Sequence, residues 1–216
     1  RFGNRLPQLS FELYRAVDSF EETVRAVTII PGAGEFVYAQ DEVRRSDGPG
    51  RGVAENVHTN AGGSDWQVSI DDLQAGLPNL QRAALVVSWF GTDLRADQCA
   101  IKPGVESTTK VTSPLTWSVA GLARADARAV STYEGRPAYG GTPSDETVVA
   151  AIGDLTARGL AVTFNPFVLM DVPAGNGLPD PYGGPEQTAF PWRGRITVSP
   201  APGRPGTPDK SAAAAA

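Results

Sequence analysis

Apolar and polar positions change rhythm along this chain. In "QLSFELYRAV", Leu9, Phe11 and Leu13 alternate with Ser10 and Glu12, which predicts a half-buried strand. "VRAVTIIPG" and "EFVYAQ" predict two more short strands, joined by a turn at Pro31, Gly32 and Gly34. "RRSDGPGRG" reads as an exposed loop. After about residue 65 the rhythm differs. A capping box at Ser69 and Asp72 predicts a short helix over "IDDLQAGLPNL". "AALVVSWFG" is apolar without alternation, as a parallel strand buried on both faces would be. "LTWSVAGL" is a second strand candidate, or a strand leading into a turn. A helix is then predicted from a capping box at Thr142 and Asp145, with Pro143 at its first position. Val148, Val149, Ile152 and Leu155 mark its apolar face, and Gly159 suits the left-handed position past its end. "LAVTFNPFVLMD" reads as a further buried strand.

These elements predict a mixed α/β fold in two parts. Residues 1–57 form a β-rich segment, and residues 58–216 form serial β/α units. Such units build either a doubly wound sheet or a (β/α)8 barrel. A barrel needs about 250 residues, so this chain reaches only its third strand. "TPDKSAAAAA" carries an N-cap candidate at Thr207, then Pro208 and Asp209, and predicts that another helix starts there. The sequence therefore reads as cut within a domain. It begins with Arg1 rather than Met, which reads as a cut at the other end too.

Charge and rare residues exclude several functions. Lys and Arg number 19 against 24 Asp and Glu, a net charge of −5. A direct nucleic-acid surface needs a concentrated basic face instead. Cys99 and His58 are each the sole residue of their type. An internal disulfide and a cysteine zinc cluster are thus impossible. His58 reads as a loop or surface residue. No "GxSxG", "HExxH" or "GxxxxGK" motif occurs, and no metal or cofactor is expected. No apolar run is long enough to span a membrane.

Six stretches together carry a family resemblance: "FGNRLPQLSFEL", "LVVSWFGTDLRADQCAIKPGVE", "SPLTWSVAGL", "GRPAYGGTPSDETVVAAI", "NPFVLMDVPAGNGLPDPYGG" and "FPWRGRITVSPAPGRPGTPDKSAAAAA". They resemble the megatron-type baseplate hub proteins of gene transfer agents and related tailed phages of alphaproteobacteria. The resemblance implies that residues 1–57 are a tail-hub segment. Residues 58–216 would be the first, incomplete part of a TIM-barrel-like glycosidase domain. It further implies a place in the virion, at the tail tip, commonly as a homotrimer beside other baseplate proteins, with cell-envelope polysaccharide as the surface met. In similar barrels of the β-mannanase type, catalytic carboxylates follow the fourth and seventh strands. Neither lies in this chain, and both are expected beyond Ala216. A structural hub component, a glycoside hydrolase and a sugar-binding barrel without catalysis all fit.

Barrel enzymes work at the C-terminal ends of their strands, so substrate-binding candidates follow the strand candidates. Trp89, ending "LVVSWFG", could stack on a sugar ring or pack the core. Asp171, ending "NPFVLMD", could bind hydroxyls or satisfy loop amides. Trp192 and Arg193 in "FPWRG" could form a sugar platform or a loop clamp. Asp93 with Arg95, and Tyr139 in "AYGG", are weaker candidates. The Pro- and Gly-rich loop of residues 172–207 would lie over the active face.

Overall fold

The computed structural model describes residues 20–30 and 34–207. The predicted strand at "QLSFELYRAV" and the helix predicted after Thr207 lie outside the described residues. In chain order come α1 (Phe20–Thr23), β1 (Ala26–Ile29), β2 (Arg44–Ser46), β3 (Gly52–Ala54), α2 (Asp65–Gly76) and β4 (Arg82–Gly91). Short strands follow: β5 (Ile101–Lys102), β6 (Gly104–Val105), β7 (Thr112–Ser113), β8 (Ser118–Val119) and β9 (Leu122–Ala123). After these come β10 (Arg128–Ala129), β11 (Thr132–Tyr133), β12 (Arg136–Pro137), α3 (Asp145–Ala157) and β13 (Ala161–Met170). The fold is mixed α/β, as its apolar patterns predict.

The main sheet runs β1-β4-β13, all parallel, with β5 antiparallel against the end of β4. Sequence order equals spatial order. Both helices cover the same face. Trp66 and Ile70 of α2 and Val148, Ala151 and Leu155 of α3 pack with Ala83, Leu85 and Val87 of β4. Side chains alternate across a strand, so Val86, Ser88 and Phe90 belong to the opposite face. That face carries no α-helix among the described residues; the 3-10 turn Arg193–Arg195 meets it at Phe167.

The sheet crosses the boundary expected at residue 57, because β1 pairs with β4 from Ala26↔Arg82 to Ile29↔Leu85. A parallel partner and the cover of α2 draw this short apolar strand into the same core. Other expectations shift as well. The segment "EFVYAQ" forms turns, with Phe36 and Tyr38 buried in two different clusters. "RRSDGPGRG" is not a plain loop but the β2-β3 hairpin, extended by β7. "LTWSVAGL" folds into the β8-β9 hairpin. Ala120 and Gly121 both have positive φ there, +50° and +77°, as a two-residue primed turn requires.

The helix starts move too. The capping box of α2 is Ser64 with Gln67, and Ser69 lies inside the helix. Starting at Asp65 brings Trp66 and Ile70 onto one face one turn apart. For α3 the N-cap is Ser144, without a side-chain cap bond. The expected cap groups fasten a neighbouring excursion instead: Thr142 Oγ1 accepts from Gly104 N at 3.1 Å and Asp145 Oδ2 from Ala120 N at 2.7 Å, while Ser144 Oγ bonds the Ser118 backbone. Val149 is exposed, and Thr147 and Ala151 are buried in its stead. Gly159 does take φ +83° beyond the helix end. Finally, β13 is a strand but is mostly exposed or half-buried, with Phe164 52% accessible. Among the described residues β4 is its sole ladder partner.

The segments after β1 and β4 are joined by a buried ionic clasp. Glu35 is fully buried and receives Arg124 through two hydrogen bonds of 3.0 and 2.6 Å. Its Oε1 also accepts from Glu106 N at 2.8 Å. Lys110 completes the cluster, 3.3 Å from Glu35 and 2.9 Å from Glu55, and bonded to Glu106. Burial pushes the Lys110 ammonium down, but Glu106, Glu35 and Glu55 outweigh it and hold the group above the usual lysine range.

Candidate functional site

A cavity of about 360 Å³ lies on the helix-free face of the sheet. Thr28 and Ile30 reach it from the end of β1, Val86, Ser88 and Phe90 from β4, and Asn165, Phe167 and Leu169 from β13. Register explains this set: Thr28 pairs with Ala84, Asn165 with Val86, Phe167 with Ser88 and Leu169 with Phe90, and in-register neighbours share a face. Ala138, Tyr139, Gly140 and Gly141 close one side.

A second, open hollow of about 800 Å³ adjoins it through Ala138 and Tyr139 and is lined also by Tyr133, Glu134, Arg136, Pro137 and Phe190. An aromatic row links the two. Phe90 and Tyr139 lie 5.3 Å apart, Tyr139 and Phe190 5.9 Å, and Phe190 and Tyr133 6.1 Å between ring centres. The row is anchored at the C-terminal end of β13. Tyr139 donates to Met170 O at 3.0 Å, and Phe190 N donates to Val172 O at 2.7 Å. Phe190 adopts φ +46°, a strained conformation for a bulky residue and one that clusters at functional sites. Burial and the nearby Asp171 charge hold the Tyr139 phenol above its ordinary pKa, so it is a neutral donor.

The sequence candidates divide. Trp89 is half-buried against both principal clusters, on the side of β4 that faces the helices, and does not line the cavity. The helix layer needs a large ring there, and alternation along β4 gives the cavity Ser88 and Phe90 instead. Asp171 is 1% exposed. Its Oδ2 accepts from Arg128 Nη2 at 3.0 Å and Nε at 3.2 Å, and its Oδ1 from Ser131 Oγ at 2.5 Å and Ser131 N at 3.1 Å. The carboxylate thus fastens the segment before β11 to the end of β13. The one backbone amide it satisfies, Ser131 N, precedes it, rather than lying in the Pro- and Gly-rich loop that follows.

Trp192 and Arg193 are brought together with Phe167, a cavity wall residue. The Arg193 guanidinium carbon lies 3.7 Å from the Phe167 ring centre and 4.5 Å from that of Trp192. Trp192 is 60% exposed. Gly194 permits this packing, since a Cβ there would stand 2.6 Å from Trp192 Nε1. The sequence does not single out Phe190 and Tyr133 as site residues, because an aromatic in a strand or loop looks the same whether it packs or lines a hollow.

His58 is exposed, and its Nδ1 lies 2.6 Å from Asp65 Oδ2. Among the described residues no group of three or more His, Cys, Asp or Glu side chains could hold a metal ion. No protein-family model and no curated protein matches this chain.

The loop of residues 172–207 is tied down by Gln187, which the sequence did not single out. Gln187 is 1% exposed, accepts from Leu94 N at 2.8 Å, and donates to Asp93 Oδ1 at 2.7 Å and Pro179 O at 3.0 Å. Asp93 also holds Arg95 through bonds of 3.0 and 2.6 Å. Burial raises the Asp93 pKa, but the Arg95 and Gln187 hydrogen bonds prevail and leave it below the usual range. A carboxyl lowered on folding stabilises above its unfolded pKa, about 3.9, and loses that contribution as pH falls through the folded value. The stability gap between wild type and Asp93→Asn is therefore expected to narrow as pH falls from about 5 to about 2. Urea unfolding at each pH measures it, and a constant gap would contradict the assignment.

Proposed function

We propose that this chain is a structural component of the tail tip of a phage-like particle and carries the first strands of a TIM-barrel-like domain whose open face meets cell-envelope polysaccharide. The observation that carries the barrel reading is the one-sided helix layer. A doubly wound sheet has helices on both faces. Here α2 and α3 share one face, and the sequential parallel strands β1, β4 and β13 leave the other lined by Val86, Phe90, Phe167 and Leu169. That is the arrangement of a barrel wall, with helices outside and side chains filling the inside. The elaborated segments after β1, β4 and β13 also match the loop-built face of such barrels.

The baseplate role rests on the sequence resemblance, which also suggests a homotrimer among other tail-tip proteins. No helix among the described residues is long and apolar enough to cross a membrane, and the proposed contact with the envelope is through sugar. The aromatic row and the Trp192 ring supply stacking surfaces of the kind sugars use. Gold-labelled antibody against this chain, imaged on intact particles, should mark the tail tip. Labelling confined to free protein would overturn the role. In the hydrolase alternative, paired carboxylates come from the fourth and seventh strands. Changing both to amides in the full polypeptide should then abolish reducing-sugar release.

A further inference from the structure

Among the described residues, Arg193 Nη1 is the one buried side-chain nitrogen or oxygen atom with no hydrogen-bond partner. Arginine is always charged and carries five donors; with Nη1 shielded from solvent, the edge open to an acceptor is that of Nε and Nη2, which also have no hydrogen-bond partner among the described residues. Elsewhere in the chain Arg95, Arg124, Arg128 and Arg158 are each paired with a carboxylate, Asp93, Glu35, Asp171 and Asp154, while the neighbouring Arg195 stacks on Tyr182. Arg193 forms no ion pair among the described residues, and its plane is instead held by Phe167 and Trp192.

We propose that Arg193, Phe167 and Trp192 form a recognition site for the carboxylate of an acidic saccharide. The two rings fix the guanidinium, which reduces the freedom lost when it is engaged. A fixed planar fork matches a carboxylate better than a neutral hydroxyl, because two parallel charge-assisted bonds form at once. The exposed Trp192 ring beside it offers a face for the sugar ring that bears the acid. Gly194 is part of the site, since it allows the indole to fold back over the arginine. The proposal rests on the saccharide-binding reading above and sharpens it to a uronic acid or a similar carboxylated sugar.

The test titrates the purified chain with an oligogalacturonate and with its fully methyl-esterified, neutral counterpart, following Trp fluorescence and heat. The acidic form should bind about tenfold more tightly, the effect of one added charge-assisted contact. Arg193→Gln should erase that preference while leaving the neutral ligand within about twofold. Arg193→Lys, which keeps charge but loses the fork, should retain a reduced preference that falls with added salt. Equal binding of both ligands by wild type would overturn the carboxylate site and leave the saccharide reading standing. Binding of neither would remove both. If Arg193→Gln fails to fold, the Lys variant decides, and an undiminished preference in it would overturn the fork.

Discussion

Glu35→Ala is expected to cost about 3–5 kcal/mol of stability, the range for leaving a buried ion pair with one member missing. The replaced carboxylate is fully buried and joined to Arg124, to Lys110 and to the Glu106 amide. Its removal strands the Arg124 guanidinium, 10% exposed, against Trp117, with an unfilled space beside it. Glu35→Gln fills the space but cannot accept both arginine nitrogens, and should recover only part of the loss. Denaturant unfolding gives both numbers. A change below about 1 kcal/mol for the alanine variant would mean that the clasp behaves as a surface pair. Proteolysis should then find the segments after β1 and β4 cut first in Glu35→Ala, because the clasp joins them across 89 positions of sequence.

Trp66→Ala should cost a similar amount, about 3–5 kcal/mol, as expected for deleting a large buried ring. Trp66 is 3% exposed and meets Tyr38 edge-on at 5.4 Å. Its Nε1 also donates to Asp154 Oδ2 at 2.8 Å, so one side chain of α2 holds α3 in place. Trp66→Phe keeps most of the volume and loses the bond, and should cost about 1 kcal/mol. The difference between the two variants separates packing from hydrogen bonding. Equal losses would mean that the bond to Asp154, rather than the ring, holds the helix pair.

Periodicity identified the long elements because their burial is set by neighbours on both sides. The unbroken apolar run of β4 and the Gly159 stop after α3 are examples. Cap positions were less legible. Ser69 and Thr142 satisfied the local pattern, yet Ser64 and Ser144 occupy the caps, because Trp66 sets the helix phase and Thr142 is engaged by Gly104. β1 was read as a strand but assigned to another unit. Four residues cannot declare their partner, and the pairing is decided by contacts 56 positions away, from Ala26 to Arg82. Of the candidate site, the juxtaposition of Trp192 and Arg193 was legible because the two are adjacent in sequence, whereas their packing on Phe167 was not. Asp171 and Trp89 were ambiguous because a strand end offers both a loop and a core. Glu35 and Gln187 gave no signal, since a buried polar residue differs from an exposed one only through partners distant in sequence.

The two parallel pairings of the sheet close around insertions of very different size, and residues 92–144 form the largest between β4 and α3. Loop-closure entropy rises only with the logarithm of length, so doubling such a segment costs only about 0.6 kcal/mol. The short strands there pair mainly with one another or with the β2-β3 hairpin, and among the described residues only β5 is paired into the main sheet. Changes of length are therefore cheap in the turns between these short strands, provided that the clasp residues Glu106, Lys110 and Arg124 and the buried Val105, Trp117 and Val119 are kept. A lineage carrying this fold can lengthen, shorten or exchange the segments around the aromatic hollow, and so change what it recognises, while the three strands and two helices beneath stay as they are.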